Sequence, residues 1–190
     1  MGSIPKFAHV VFQTGRLEQM RDWYCDLLEG HAVYQGHGLC FVTFDDEHHR
    51  VAFMQPPVPM DPKAPTAAGM HHTAYTFDDL DALLERYTSL KDKGIEPAVP
   101  IQHGVTTSLY YRDPDGNFVE LQVDNFEAAD DATAYMEGEE YDQDPVGVSF
   151  SPDLMIAERR SGVPAEQLQT RKWALTTTPD LPNPLTVLTS

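Results

Sequence analysis

Leu109-Tyr110-Tyr111-Arg112-Asp113-Pro114-Asp115-Gly116-Asn117-Phe118-Val119-Glu120-Leu121-Gln122 reads as strand, turn, strand. Pro114 presets φ in the turn, and Gly116 accepts a positive φ without steric cost. Beyond the turn, Phe118, Glu120 and Gln122 alternate with Val119, Leu121 and Val123. One strand face is therefore apolar, and the other carries a carboxylate. With histidines at the starts of two other strands, that carboxylate suggests a metal site.

The surrounding pattern is a duplication. Residues 7–13 read as a strand, and Thr14 can cap a helix with Leu17, Met20, Tyr24, Leu27 and Leu28 at helical spacing and Gly30 as its stop. Three β runs follow at 31–35, 38–44 and 50–55. After a proline-rich stretch the order repeats. Met70–Phe77 is a strand, and Asp78 caps a helix with Leu80, Leu83, Leu84, Tyr87 and Leu90 inward and Gly94 at its end. Further β runs lie near 96–101, 105–112 and 117–123. The letters repeat too: His9-Val10-Val11-Phe12 against His72-Thr73-Ala74-Tyr75.

Each half is too small to bury its sheet alone. The expectation is an α+β fold. Two βαβββ modules, at about 5–56 and 69–126 with a linker at 56–69, share one curved, mostly antiparallel sheet around a metal cup, and together they make a domain of residues 1–126. From 127 to 190 the chain is acidic and then rich in Thr and Pro. That extension is expected to wrap the domain or another subunit, with a short helix within 152–161 and a frayed end.

Thirteen basic against thirty acidic residues leave a net charge of −17, which argues against a nucleic-acid partner or an anionic membrane surface. No apolar run has the length of a membrane span, and Met1-Gly2-Ser3-Ile4-Pro5-Lys6 lacks a signal-peptide core. Cys25 and Cys40 are too few and too separate for a disulfide framework or a thiolate zinc site. The default expectation is a cytoplasmic protein.

Strand parity sorts the histidines. His9, Val11 and Gln13 share one face, as do His72, Ala74 and Thr76, while the bulkier Phe12, Tyr75 and Phe77 belong against the helices. His9 and His72 then occupy equivalent positions on the concave face, with Glu120 aimed the same way. Two imidazoles and one carboxylate on one side of a metal leave positions open, as in non-haem Fe(II) oxygen chemistry. A lone strand histidine is more often a hydrogen-bonded core residue; the recurrence in both modules is what lifts this set. His71 points by parity to the helix layer. His48 and His49, beside Asp45, Asp46 and Glu47, read as a solvated hairpin turn without a role.

As a whole, residues 5–126 resemble the vicinal oxygen chelate superfamily, which includes glyoxalase I and bleomycin-resistance proteins. Within it, His103-Gly104-Val105-Thr106, Tyr110, the Asp113-Pro114-Asp115-Gly116-Asn117 turn and Glu120 are similar to segments of the small, one-domain type I extradiol ring-cleaving dioxygenases. The resemblance implies Fe(II), or Mn(II) in its place, held by His9, His72 and Glu120. It implies a catechol-type substrate and O2, with the ring opened beside the diol. It further implies Tyr110 as the hydrogen bond to a substrate oxygen, His103 as the acid–base residue, and a homodimer or higher homo-oligomer.

Glyoxalase I, similar in fold, has a fourth ligand on the last strand of its first module. Laying Val51-Ala52-Phe53-Met54 over Phe118-Val119-Glu120-Leu121 puts Phe53 opposite Glu120, and that vacancy suits a metal that must bind substrate directly. Val11, Phe53, Ala74 and Phe118 are expected to line an apolar cup, which Phe126 and Tyr135 could close. Two other readings stay open: a glyoxalase-like metal-dependent lyase or isomerase, and a metal-free protein that binds an aromatic small molecule.

Overall fold

The computed structural model describes residues 4–61, 63–64, 68–178 and 180–190. Met1–Ser3 and part of the linker expected at 56–69 lie outside the described residues. The chain divides into two compact units, Met1–Ala64 with Asp113–Asn117, and Pro65–Arg112 with Phe118–Ser190.

The first unit runs β1 (Val10–Gln13), α1 (Leu17–Leu28), β2 (His31–Gly36), β3 (Leu39–Thr43) and β4 (Val51–Met54). Its strands lie in the order β1-β4-β3-β2, with β1 and β4 parallel and the other pairs antiparallel. Leu17, Met20, Tyr24 and Leu27 form the buried stripe of α1. They cover Phe12, Cys40, Val42, Val51 and Phe53 of the sheet, each large side chain contributing about 1.5–3 kcal/mol of burial. The start and stop of α1 differ from expectation. Arg16 holds the N-cap position without a side-chain bond, because Thr14 spends its hydroxyl on the Arg16 amide (3.0 Å). Glu29, not Gly30, takes the left-handed turn (φ 50°). Gly30 is instead where the chain presses on β3: a Cβ there would lie 2.6 Å from the Thr43 carbonyl oxygen.

Register corrects one assignment. Phe53 pairs with Phe12 and Cys40, is fully buried, and packs its ring on Tyr24 at 5.1 Å. It belongs to the helix layer and lines no cup. Val11 pairs with Ala52 in the first unit as Ala74 pairs with Glu120 in the second, so Ala52 is the counterpart of Glu120. The overlay was one residue out, since the run of apolar residues in β4 carries no alternation to fix parity. The position still offers no ligand.

The second unit repeats the order: β5 (His72–Phe77), α2 (Leu80–Asp92), β6 (Val99–Gln102), β7 (Thr106–Arg112) and β8 (Phe118–Asp124). Asp79, one residue after the expected cap, accepts the Ala82 amide at the start of α2. Leu80, Leu83, Leu84, Tyr87 and Leu90 are buried. The α+β architecture and both βαβββ modules are as expected, but in place of one shared sheet each module carries its own hydrogen-bonded sheet, with one parallel pair in each.

The acidic extension is more ordered than its composition suggests. It supplies α3 (Ala129–Met136), α4 (Glu139–Gln143), β9 (Val148–Ser149), α5 (Pro152–Arg160), α6 (Ala165–Leu168), α7 (Arg171–Thr177) and α8 (Pro184–Leu188). β9 adds a fifth strand beside β6, giving β5-β8-β7-β6-β9. Phe150, Met155, Leu168, Trp173 and Ala174 are buried. The expected frayed end instead forms α8, whose Val187 and Leu188 pack on Val99, Ile101, Tyr110 and Phe118. Helices this short are not stable alone; a few apolar anchors hold them. Among the described residues, no helix is long and apolar enough to cross a membrane.

Candidate active site

Paired residues in a β ladder share a face, so the register of the second sheet fixes which side chains meet. His72 lies beside Phe118, and Phe118 beside Arg112; Ala74 lies beside Glu120, and Glu120 beside Tyr110. Tyr110 then pairs with Val99 of β6, and His103 continues the parity of Val99 and Ile101 past the strand end. His72, Glu120, Tyr110 and His103 thus share one sheet face.

Glu120 is only 4 % exposed. His72 Nε2 lies 3.1 Å from its Oε2. His103 Nε2 is 3.9 Å from its Oε1 and 3.1 Å from the Tyr110 hydroxyl. Tyr110 and Ser108 also hydrogen-bond to the carboxylate. Burial pushes the Glu120 carboxyl up, but hydrogen bonds from His72 and Ser108 and the nearby imidazole charges outweigh it and hold the group below its ordinary value. Burial holds His103 below the usual imidazole value, with Glu120 opposing. Burial, then the Glu120 charge, raises Tyr110 well above the ordinary phenol range, so its hydroxyl keeps its proton.

His71 departs from expectation. It precedes β5, so strand parity does not bind it, and its ring stacks on Phe118 at 5.3 Å. Its Nδ1 is 2.8 Å from His72 Nδ1, and its Nε2 is 3.1 Å from the Leu188 carbonyl oxygen. It braces His72 and is no part of the helix layer. Arg112, with its guanidinium 4.1 Å above the Phe118 ring, donates to the Val187 and Ser190 carbonyls, fixing the end of α8 beside this face.

His9 stands in the first unit, one residue before β1, and is exposed. Its ring centroid is 4.5 Å from that of His49, which stacks on Phe41 at 4.7 Å. Burial, with His9 and His48 nearby, holds His49 below the usual imidazole value. The solvated-turn reading of His49 is therefore corrected. The signal that could have found it is topological: β1 and β4 pair in parallel, so the residues just before each strand are neighbours.

Phe126 and Tyr135 do pair, at 5.6 Å, and Tyr135 lies against Gly104, behind the His103 loop. Among the described residues, no group of three or more His, Cys, Asp or Glu has the geometry of a ready-made metal site. The second unit brings together two of the three expected ligands, His72 and Glu120. A buried, ionised carboxylate edged by an imidazole nitrogen fits a divalent cation of borderline hardness.

A family model described as the Glyoxalase/Bleomycin resistance protein/Dioxygenase superfamily matches residues 6–121. Biphenyl-2,3-diol 1,2-dioxygenase 2 of Rhodococcus globerulus is 66% identical over 190 residues, covering 100% of both chains. Biphenyl-2,3-diol 1,2-dioxygenase 3 of the same organism is 53% identical over 174 residues, covering 91% of this chain and 92% of that one. Among solved structures, a glyoxylase/bleomycin resistance protein/dioxygenase domain from Frankia sp. EAN1pec superposes with a TM-score of 0.52 at 16% identity, over 66% of this chain and 96% of that one. That likeness concerns the fold alone.

Proposed function

This chain belongs to the glyoxalase/bleomycin resistance protein/dioxygenase superfamily, and on that premise we propose that it is a metal-dependent extradiol dioxygenase. It opens the ring of a catechol-type diol such as biphenyl-2,3-diol with O2. Identity to the two Rhodococcus globerulus dioxygenases along nearly the whole chain supports the reaction class and the substrate type. The observation that carries the reading is the buried Glu120 carboxylate with His72, Tyr110 and His103 gathered about it on one sheet face.

In this proposal His9, His72 and Glu120 hold Fe(II), with Mn(II) able to replace it, and the protein works as a homo-oligomer. When bound, the metal would acidify the diol hydroxyls and let electrons pass between ring and O2. The chain does the rest. The Tyr110 hydroxyl, protonated, donates to a substrate oxygen. His103 Nε2, beside both Tyr110 and Glu120, takes a diol proton as general base. His49, beside His9, is a second neutral imidazole placed next to a ligand.

The test is anaerobic loading with Fe(II) or Mn(II), followed by oxygen uptake with biphenyl-2,3-diol and a catechol panel. Oxygen uptake with a coloured ring-opened product is expected. Metal binding without oxygen uptake would favour a glyoxalase-like lyase, and failure to bind metal would favour a simple binding protein.

A further inference from the structure

Arg171 is a cation in an unusual place. It sits at the start of α7 in the C-terminal extension, is only 5% exposed, and faces no carboxylate in its hydrogen bonds. Its Nε donates to the His103 carbonyl oxygen at 3.0 Å, its Nη2 donates to the same oxygen, and its Nη1 donates to the Glu140 carbonyl at 3.1 Å. The Tyr135 and Tyr141 rings flank the guanidinium, their centroids 5.8 and 5.4 Å away. A buried guanidinium is costly unless its donors are satisfied, and here two of the three bonds go to one residue of the site.

The extension holds the same loop from other sides. The His103 ring hydrogen-bonds to the Val146 backbone. Gly147, at φ +94°, passes so close that a Cβ would lie 2.9 Å from His103 Cα. Tyr135 leaves no room for a Cβ at Gly104. Asn125, just past β8 and ahead of the extension, also donates to the Gly104 carbonyl at 2.9 Å. His103 lies beyond the last ladder pair of β6. From the sheet it is held by its amide, which donates to the Thr106 carbonyl at 3.0 Å, and by the Tyr110 hydroxyl at its Nε2; the contacts to its carbonyl come from the extension.

We propose that Arg171 is a positioning residue for the ring-opening reaction: its fork on the His103 carbonyl, held between Tyr135 and Tyr141, sets where His103 Nε2 stands relative to Tyr110 and Glu120. The inference rests on the role given to His103 above. It assigns the acidic extension a part in catalysis, because a displacement of about 1 Å at a reacting group costs on the order of a hundredfold in rate. Lysine keeps the charge at this position but cannot supply the planar fork.

The test is a double-mutant cycle on the metal-loaded protein with biphenyl-2,3-diol, together with NMR of the metal-free protein. Arg171→Lys is expected to lower kcat per bound metal by at least about tenfold while KM stays within about twofold. In a His103→Ala background the same substitution is expected to change kcat by less than about twofold, since a residue that acts through His103 has nothing left to act on. In the metal-free protein, Arg171→Lys is expected to shift the His103 ring-proton signals while those of His31 in the first unit stay put. Should Arg171→Lys fail to fold, Tyr135→Ala, which removes one flanking ring and the packing on Gly104, carries the same expectations. Equal kcat losses in both backgrounds, or unchanged kcat with unshifted His103 signals, overturn the inference. His103→Ala with unchanged kcat overturns the role of His103 and the inference together; a large His103 effect with none at Arg171 overturns the inference alone.

Discussion

Glu120 is the side chain on which the chemistry turns. Its carboxylate is buried, held below its ordinary value and flanked by two imidazole nitrogens. An outer partner alone typically changes metal affinity by about 10–100-fold, so Glu120→Ala should weaken binding by more than about 100-fold; retained stoichiometric iron in that variant would mean another carboxylate is the ligand. Kinetics tests the base role proposed for His103. The imidazole that takes the diol proton should cost about 10²–10⁴-fold in kcat on substitution by Ala, and His103 is expected to be that residue. A loss of this size at His49→Ala with a small one at His103→Ala would transfer the role. His72 and Glu120 were legible because the period of a strand is two, so alternation shows which side chains share a face. Phe53 and His49 were not: β4 is apolar without alternation, and the packing of His49 depends on a parallel pairing that a single sequence does not announce.

The Asp113–Asn117 turn shows how much one side chain can hold in place. Asp113 Oδ1 accepts the amides of Asp115 and Asn117, while Oδ2 accepts the Asn117 side chain and the Tyr24 hydroxyl of α1. Asp113 is itself buried, so Asp113→Ala removes the acceptor of the half-buried turn donors of Asp115 and Asn117 and one partner of the buried Tyr24 hydroxyl. A loss of about 2–4 kcal/mol is expected in chemical denaturation; a loss under about 1 kcal/mol would mean water replaces the carboxylate. Asp153 of α5 is a contrast. It accepts from Lys91 (2.6 Å) and Tyr87 (3.1 Å) of α2 on an exposed flank. Lys91, then Tyr87, pulls its carboxyl below the ordinary value against some desolvation. A carboxyl depressed on folding stabilises above its unfolded value, and that contribution fades as pH falls through the folded one. Asp153→Ala should therefore cost less than about 1 kcal/mol near neutral pH and less still in acid. Elements with strong periodicity, α1 and α2 with their strands, could be read from the letters. Their N-caps shifted by a residue or two: Thr14 accepts the Arg16 amide ahead of α1, and Asp79, not Asp78, accepts the Ala82 amide of α2.

At the scale of the whole chain, the duplication is what made the fold readable: two histidines in equivalent places, each followed by an amphipathic helix and three strands. The extension was the opaque part. Its acidic, Thr- and Pro-rich composition conceals a handful of anchors, Phe150, Met155, Leu168 and Trp173, that become meaningful only when β9 and α7 are seen against the second sheet. Ending the chain at residue 126 should uncover Ile101 and the His103 loop, giving a protein that aggregates or loses its cooperative transition; a soluble, fully active truncation would show the extension to be dispensable. The central proposal is that the chain is an extradiol dioxygenase in which His9, His72 and Glu120 would hold the metal that makes a diol reactive toward O2. Its most direct measurement is the mass of the product formed from biphenyl-2,3-diol and ¹⁸O2 by the Fe(II)-loaded protein. Both labelled atoms should appear in a ring-opened product, cleaved beside the diol. A product with no label, or a diol returned unchanged by fully loaded protein, would contradict it.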